Sequence, residues 1–501
     1  MNLLNFIWIK FKTNPDIWFF YGFLITLTLS VRKVILFYPI NGQFNEYTGI
    51  YLYLSDIFLF FTLVSWGILL LYNKNGKLSI NSTLPSPFEI NVPRPPAPKD
   101  IGTFRASGTF LNQLLLFIPL ALVIWSFTSI FWSQNETIAL FRSFKLLEMY
   151  FLFFFIALRI VPHGTIINNK NSSNSLLNFF KIIVIIALFQ SIMAILQFVL
   201  QHSVGLFWLK ESIISPYLPG VAKIILGGEK FIRAYGLFPH PNILGGFLIF
   251  SIILTLLYRK MFRVEQIDIC HSERSEIKLD LSPRPPLADK LGMTLFLATI
   301  IQIAALILTF SKSAILGLFI ALFYLIYKGK DDLIPRKWLE RAFIFLAIVF
   351  LVFLILKLDI NSFFTQSWEE RLFFLNVSRE TFLSHPLLGV GMGQFVLNFP
   401  EFTGIQTWQF QPVHNVFLLV LNELGLVGLS LFVWFIWKLM RHLKSVPRGT
   451  LCGELSQTAS VLFLAFIVIM LFDHYLWDIQ PGQILFWLAA GLLAGARRYK
   501  L

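Results

Sequence analysis

Long apolar windows alternate with polar segments along almost the whole chain. A helix needs about 20 apolar residues to cross the hydrocarbon layer of a membrane, and windows of this length predict about twelve transmembrane helices. The predicted fold class is therefore an all-α polytopic membrane protein. The windows lie near residues 15 to 31, 50 to 72, 110 to 132, 139 to 161, 177 to 201, 236 to 258, 292 to 310, 313 to 327, 342 to 358, 412 to 437, 458 to 473 and 482 to 496.

The windows 292 to 310 and 313 to 327 are separated only by Ser311 and Lys312. Fusing them into one helix would reverse every later span and turn the basic segments after 327, 437 and 496 outward. Because Lys and Arg are enriched on the cytoplasmic side of membranes, we predict two separate helices. With this arrangement the protein is multi-pass, and its N- and C-termini are both cytoplasmic.

Composition supports a membrane protein and argues against other classes. Hydrophobic residues make up 56% of the 501 residues and charged residues 14%, whereas soluble domains have about 25% charged residues. The net charge of +14 fits basic cytoplasmic loops that face anionic lipids, and no folded basic domain indicates nucleic acid. Cys270 and Cys452, the two cysteines, fit neither a disulfide framework nor a zinc site. The lipid bilayer is a predicted partner, and nucleic acid is not.

The lengths of the loops divide the chain into regions. Residues 1–201 hold about five spans and an inner loop, 73–109, and residues 202–437 hold an inner insert, 259–291, and a large, partly helical outer loop, 359–411. Residues 438–501 hold the C-terminal membrane helices. The Pro pairs and mixed charge of 73–109 and 259–291 predict disorder, with partner binding as the alternative.

Polar residues that are difficult to place in a membrane collect on the predicted outer side. A charge at the edge of the hydrocarbon costs a few kcal/mol, and such charges are usually kept for function or buried by pairing. Outward cations so close to the membrane indicate an anionic ligand at the outer face. The residues are Lys210, Lys223, Lys230, Arg233, His240, Asn242, Lys312, Arg371, Arg379, His414, Asp473 and His474.

The strongest candidates among these residues also have structural interpretations. Arg233 could be an interfacial side chain that snorkels to water, and Lys312 could only mark a turn. Arg371 and Arg379 lie on a predicted amphipathic helix and should share roughly one face, where neighbouring glutamates could pair with them. His414 could serve as a neutral proton acceptor, although a single interfacial histidine is more often structural.

Four stretches of residues 230 to 435, taken in order, read IRAYGLFPHPNILGG, LTFSKSAILGL, ERLFFLNVSRETFLSHPLLGVGMGQF and HNVFLLVLNELGLVGLSLF. This series resembles the O-antigen ligase and polymerase family of bacterial membrane glycosyltransferases. The resemblance implies a GT-C-like fold of about twelve helices, with a large outer loop over a cavity. It implies transfer of a glycan from undecaprenyl diphosphate to an acceptor hydroxyl at the outer face of the cytoplasmic membrane, without nucleotide sugar, cofactor or metal ion.

The resemblance also implies roles for individual residues. Arg371 matches the family's loop arginine, and His414 matches its essential histidine. Lys312 stands where the family usually has arginine, so the charge is kept but the planar fork that suits a phosphate is lost. The implied catalytic residues are His414, Arg371 and Lys312, and the implied residues for binding diphosphate or glycan are Arg233, Asn242, Arg379 and Asn415.

Fixed cations would stabilise the charge that develops on the leaving diphosphate, and His414 would orient or deprotonate the acceptor. The identity of the acceptor is left open. A polymerase would use the same donor with a second lipid-linked glycan as acceptor. A polysaccharide transporter predicts polar residues near the helix midpoints. The midpoints here are mostly apolar, with Arg142 and Lys145 as exceptions.

The glycines of the GVGMG stretch at 389–393 allow either a tight turn or a close approach of the backbone to a phosphate. A short run of glycines is weak evidence for either role.

Overall fold

The computed structural model describes residues 11–74, 105–161, 170–226, 228–272, 286–327, 360–399, 410–441 and 451–497. These residues form a helical bundle with two small β-hairpins. The helices are α1 (Pro15–Thr26), α2 (Leu54–Lys74), α3 (Arg105–Thr128), α4 (Glu136–Phe155), α5 (Lys170–Leu200), α6 (Pro241–Ser272), α7 (Pro286–Leu308), α8 (Lys312–Tyr327), α9 (Ile360–Ser384), α10 (Val416–Arg441), α11 (Leu451–Phe472), α12 (Tyr475–Asp478) and α13 (Gln480–Arg497).

Six of the described helices contain segments that are long and apolar enough to cross a membrane. The prediction of an all-α membrane protein is confirmed at this level, whereas the total of about twelve spans stays a prediction. The predicted span 342 to 358 lies outside the described residues. The six segments are Leu54–Tyr72, Asn174–Leu200, Pro241–Lys260, Lys290–Leu308, Val416–Arg441 and Gly453–Phe472, and two shorter apolar helices are Phe117–Trp132 and Lys312–Leu325.

The predicted separation of two helices at Ser311 and Lys312 is confirmed. Helix α7 ends at Leu308, Phe310 adopts a left-handed conformation with φ of 48°, and α8 begins at Lys312. Helix α8 then packs against α11 and α6. The sharp turn therefore leaves Lys312 at the end of the bundle where α7 ends and α8 starts.

The predicted disorder of 259–291 is wrong for part of that insert. Helix α6 continues to Ser272, and α7 begins at Pro286. The sequence from 259 to 272 contains neither Gly nor Pro and has apolar residues recurring through it, so it can extend the helix before it. Residues 75–104 of the other predicted disordered loop lie outside the described residues.

Helix α13 lies at the centre of the bundle. Its sequence ILFWLAAGLLAGA is apolar around its whole circumference, the pattern of a helix surrounded by other helices. Leu485, Trp487 and Leu492 are at most 2% exposed, and the helix packs against α4, α6 and α11. Between membrane helices stability comes largely from close packing, which the small residues of α13 favour.

The β-hairpins connect neighbouring helices. Strands β1 (Arg32–Phe37) and β2 (Gly49–Tyr53) pair antiparallel between α1 and α2. Strands β3 (Lys223–Leu226) and β4 (Glu229–Ile232) pair antiparallel between α5 and α6, with Lys223 opposite Ile232. The starts of α6, α8 and α10 and the ends of α7 and α11 meet at one end of the bundle, the cavity end.

Candidate active site

A cavity of about 290 Å³ opens at the cavity end of the bundle. Arg233, Asn242, Lys312, Arg371 and His414, which the sequence predicts as site residues, all line it, although 181 positions separate the first from the last. Three of them are cations, which suits an anionic ligand. The complete lining is Lys223, Ile224, Ile225, Arg233, His240, Asn242, Phe310, Lys312, Ser313, Glu370, Arg371, Gln411 and His414.

Arg233 is held by hydrogen bonds on one wall of the cavity. Its Nε donates to the carbonyl oxygen of Thr309 at 2.7 Å, and its Nη2 donates to Oδ1 of Asn242 at 2.5 Å. Nδ2 of Asn242 in turn donates to Oδ2 of Asp473 at 2.7 Å. A guanidinium has five N–H donors, so these two bonds use only part of its capacity. This arrangement does not fit the alternative in which Arg233 is only an interfacial side chain that snorkels to water.

The pKa of Arg233 is lowered to about 10. Burial lowers it, and Tyr235 and Asp473 partly offset this effect. The guanidinium therefore remains charged at neutral pH. Asp473 lies beyond Asn242, so its negative charge supports the orientation of Arg233 while Arg233 itself lines the cavity. Asn242, one residue after the start of α6, links the carboxylate to the guanidinium.

Arg371 lies on α9 and fixes that helix against the end of α11. Its Nη2 donates to the carbonyl oxygen of Phe472 at 3.2 Å. Arg379 lies on the same helix but is exposed and does not line the cavity. Eight residues at about 100° each leave an offset of about 80° and place Arg379 about 12 Å further along the helix, so a roughly shared face does not bring both arginines to the cavity.

His414 lies two residues before α10, packed between two rings. The ring of Phe374 lies 5.6 Å away, centroid to centroid, at an interplanar angle of 32°. The ring of His474 lies 5.1 Å away at 88°. Burial, followed by the charge on His474, lowers the pKa of His414 to about 3. His414 is therefore neutral near pH 7 and able to accept a proton.

Asn415 has a structural contact on each side of its amide. Its Oδ1 accepts a hydrogen bond from the backbone N–H of Leu418 at 3.0 Å, which caps the start of α10. Its Nδ2 donates to the carbonyl oxygen of Leu471 at 3.1 Å. Asn415 does not line the cavity, and these contacts fix the neighbouring His414.

The GVGMG stretch lies against a break in α10. Gly425 has φ of 67° and ψ of −171°, which interrupts the helix. The backbone N–H groups of Val390 and Gly391 donate to the carbonyl oxygens of Asn422 and Glu423 at 2.9 and 2.8 Å, and Leu426 N–H donates to Pro386 at 3.0 Å. These bonds satisfy groups that a continuous helix would pair internally.

The contact at this break is too close for side chains. A Cβ at Gly389 would lie 2.5 Å from the carbonyl oxygen of Glu423, and one at Gly425 would lie 2.1 Å from that of Leu387. The tight-turn alternative for GVGMG therefore fits the structure, and none of these glycines lines the cavity. We call this contact between the GVGMG stretch and the break in α10 the clasp. It connects the segment after α9 to α10, and so couples the position of Arg371 to that of His414.

Several further residues belong to the site although the sequence analysis gave them no role beyond an outward position. Lys223 and His240 line the cavity, and Asp473 and His474 lie directly behind Asn242 and His414. The signal in the sequence that could have found these four residues is their position on the predicted outer side. Glu370, one of the glutamates beside Arg371 on α9, also lines the cavity.

Arg142 and Lys145, the exceptions on α4, have partners within the protein. Lys145 forms ion pairs with Asp56 at 2.5 Å and Glu148 at 3.1 Å. Arg142 donates to the backbone carbonyl oxygens of Asp478 at 2.5 Å and Tyr47 at 3.0 Å. The charge of Lys145 is therefore compensated by carboxylates, Arg142 is bound by backbone oxygens, and neither residue lines the cavity.

The fold and the site define an α-helical membrane protein with a cation-rich cavity at one end of its bundle. Residues 297–433 match the family model described as O-Antigen ligase. The match confirms the resemblance over this segment and, together with the apolar helices, indicates an O-antigen ligase-like bacterial membrane protein. The match includes Lys312, Arg371 and His414, whereas Arg233 and Asn242 precede it. No curated protein matches the chain.

Proposed function

We propose that this protein transfers a glycan from an undecaprenyl-diphosphate carrier to an acceptor hydroxyl at the outer face of the bacterial cytoplasmic membrane. The observation that carries the proposal is the convergence of Arg233, Lys312 and Arg371 with a neutral His414 on one cavity. A diphosphate needs fixed positive charge, and a hydroxyl nucleophile needs a proton acceptor. The cavity offers both within a single site.

The cations act on the leaving group. As the bond from the anomeric carbon to the diphosphate oxygen breaks, its electron pair stays on that oxygen and negative charge grows there. Arg233 is held in place by Asn242 and Thr309, and Arg371 by the carbonyl oxygen of Phe472. Donors that are fixed before the reaction stabilise such charge without reorganisation during the step.

His414 acts on the acceptor. The acceptor oxygen forms a bond to the anomeric carbon on the face opposite the diphosphate, and the hydroxyl proton moves to the imidazole of His414. This single displacement inverts the configuration at the anomeric carbon. A base of this kind contributes on the order of 10² to 10⁴-fold to the rate.

The charge at the opposite end of the bundle supports an outward orientation of the cavity. Arg259 and Lys260 follow the apolar part of α6, and Lys438 and Arg441 close α10. Lys260 pairs with Glu454 at 2.5 Å, which leaves an excess of positive charge among these residues. Basic residues at span ends are enriched on the cytoplasmic side, which favours an outward-facing cavity end.

Cysteine labelling tests this orientation. In a background of Cys270→Ser and Cys452→Ser, we expect Glu369→Cys, on the exposed turn beside Arg371, to react with a membrane-impermeant maleimide in intact spheroplasts. Arg441→Cys should react only after the membrane is opened. The opposite pattern, with Arg441→Cys labelled in intact spheroplasts and Glu369→Cys protected, would place the cavity in the cytoplasm and overturn the proposed donor geometry.

Substitution of Lys312 tests the charge at the start of α8. We expect Lys312→Ala to reduce glycan transfer by about tenfold, since Arg233 and Arg371 still face the diphosphate. Lys312→Arg should retain or exceed the wild-type rate, because the guanidinium keeps the charge and adds a bidentate fork. The measurement is the initial rate of transfer from a fluorescent lipid-linked oligosaccharide. A fully active Lys312→Ala would remove Lys312 from the site.

The same assay identifies the acceptor class. Purified protein in liposomes is supplied with the lipid-linked oligosaccharide and, in separate reactions, with a lipid A core, a protein hydroxyl acceptor or a second lipid-linked glycan. Transfer to one of the first two defines a ligase. Elongation of the lipid-linked glycan alone defines a polymerase. Absence of transfer in every reaction contradicts the proposed function.

A further inference from the structure

His474 lies immediately behind His414 and is almost completely buried. The two rings meet edge to face, with centroids 5.1 Å apart, and His474 is 4% exposed. His474 follows the end of α11 and does not line the cavity. It can therefore influence His414 directly, and of these two histidines only His414 lines the cavity.

A carboxylate fixes the protonation of His474 at one ring nitrogen. Nδ1 of His474 lies 2.9 Å from both Oδ1 and Oδ2 of Asp478. A carboxylate only accepts hydrogen bonds, so Nδ1 carries a proton. The main chain of Asp478 is itself held, because its carbonyl oxygen accepts a hydrogen bond from Nη1 of Arg142 at 2.5 Å. The pair of His474 and Asp478 is thus a fixed unit behind the site.

We propose that His474, held by Asp478, is a positioning residue that keeps His414 neutral and correctly oriented to accept the proton of the acceptor. The proposal rests on the proposed function for its role in catalysis. Its electrostatic part, proton binding by His474 in preference to His414, can be measured without any turnover.

The charges around both rings agree with this assignment. Burial alone would lower the pKa of His474, but Asp478, Asp473 and Glu46 raise it above its usual value. Burial and then His474 lower the pKa of His414, with smaller effects of the same sign from Arg371 and His240, and only Asp473 opposes them. Tyr47 supplies the remaining ring against His474, at 5.7 Å. Proton binding therefore favours His474 over His414.

The sign of the expected change follows from this order. A positive charge on His474 makes protonation of His414 less favourable, so removing that charge raises the pKa of His414. Two charges about 5 Å apart in a protein, partly compensated by a carboxylate, shift a pKa by roughly one unit. His474→Gln removes the charge directly, and Asp478→Asn removes its support.

The test is nitrogen NMR of the ¹⁵N-histidine-labelled protein in detergent across a pH series. The protein has eight histidines. We expect the pKa of His474 to lie above that of His414 in the wild type and to fall in Asp478→Asn. The titration midpoint of His414 should rise by about one pH unit in His474→Gln. His202→Gln, an exposed histidine away from the cavity, should change neither signal. Asp478→Glu should restore the wild-type titration.

Two results would overturn the inference: a His474 pKa at or below that of His414 in the wild type, or an unchanged His414 midpoint in a folded His474→Gln. If His474→Gln does not fold, an unchanged His474 pKa in a folded Asp478→Asn would overturn the part assigned to the carboxylate, with thermal unfolding in detergent as the check. The acid limb of the transfer rate should move to higher pH by the same amount, with the donor KM unchanged. Loss of transfer in the wild type would contradict the proposed function, while the histidine titration would still decide the electrostatic claim.

Discussion

Replacing His414 with alanine is expected to lower kcat for glycan transfer by about 10² to 10⁴-fold while leaving the KM for the lipid-linked donor nearly unchanged. The reason is that His414 accepts the acceptor proton, whereas the diphosphate is bound by the cations of the cavity. Its neighbours Phe374 and His474 orient the ring, and its low pKa keeps it neutral. Protonation of His414 should therefore cause no fall in the transfer rate between pH 6 and 8.

His414→Gln is the matched variant, because glutamine keeps a hydrogen-bonding group of similar reach but cannot take up the proton. A comparable loss in both variants indicates proton acceptance, whereas a nearly active His414→Gln would indicate that the residue only orients the acceptor. Exposed His202→Ala controls for the removal of a histidine. Wild-type kcat in His414→Ala would exclude His414 from the chemistry.

Replacing Arg371 with alanine is expected to reduce kcat/KM for the donor by about 10² to 10³-fold, the usual effect of removing a fixed donor to a developing anion. Arg371 is the cavity cation contributed by α9, and its bond to Phe472 holds it in place. Arg371→Lys should recover part of the activity, since the charge returns without the bidentate fork.

Arg379→Ala is the control for this experiment, because Arg379 lies on the same helix but is exposed and does not line the cavity. We expect its kinetics to match those of the wild type. Equal losses in Arg371→Ala and Arg379→Ala would show that the charge of α9 acts at long range or that the helix binds the glycan along its length. That result would contradict a cavity centred on Arg371.

Much of the fold follows from the sequence because apolar length is a strong signal in a membrane protein. The windows around Leu54–Tyr72, Asn174–Leu200 and Val416–Arg441 are all helices, although helix starts differ by a few residues. His414 was placed inside a span and in fact precedes it, because Asn415 caps the helix. This small difference matters, since it leaves the imidazole at the cavity.

The site was predictable as a set of residue types but not as a set of contacts. Charges near the membrane edge identified Arg233, Lys312 and Arg371, since such charges are costly unless they are used. The link from Arg233 through Asn242 to Asp473 joins residues far apart in sequence, and no local pattern reveals it. Arg379 lies about 80° around the helix from Arg371 and does not line the cavity.

The role of the GVGMG stretch also required the structure. Its glycines fit a break in a helix that starts some 25 residues later, where Gly425 leaves backbone groups unpaired. Sequence can show that glycine permits close approach, but not which backbone approaches. The clasp couples the helix of Arg371 to the helix of His414, so the geometry of the site depends on it.

The most direct test of the account is the stoichiometry of undecaprenyl diphosphate released per glycan transferred by the purified protein in liposomes. We predict one molecule released for each glycan joined to an acceptor hydroxyl, with release dependent on the acceptor and lost in His414→Ala. Movement of the intact lipid-linked glycan across the bilayer without release of undecaprenyl diphosphate would contradict it and indicate a transporter.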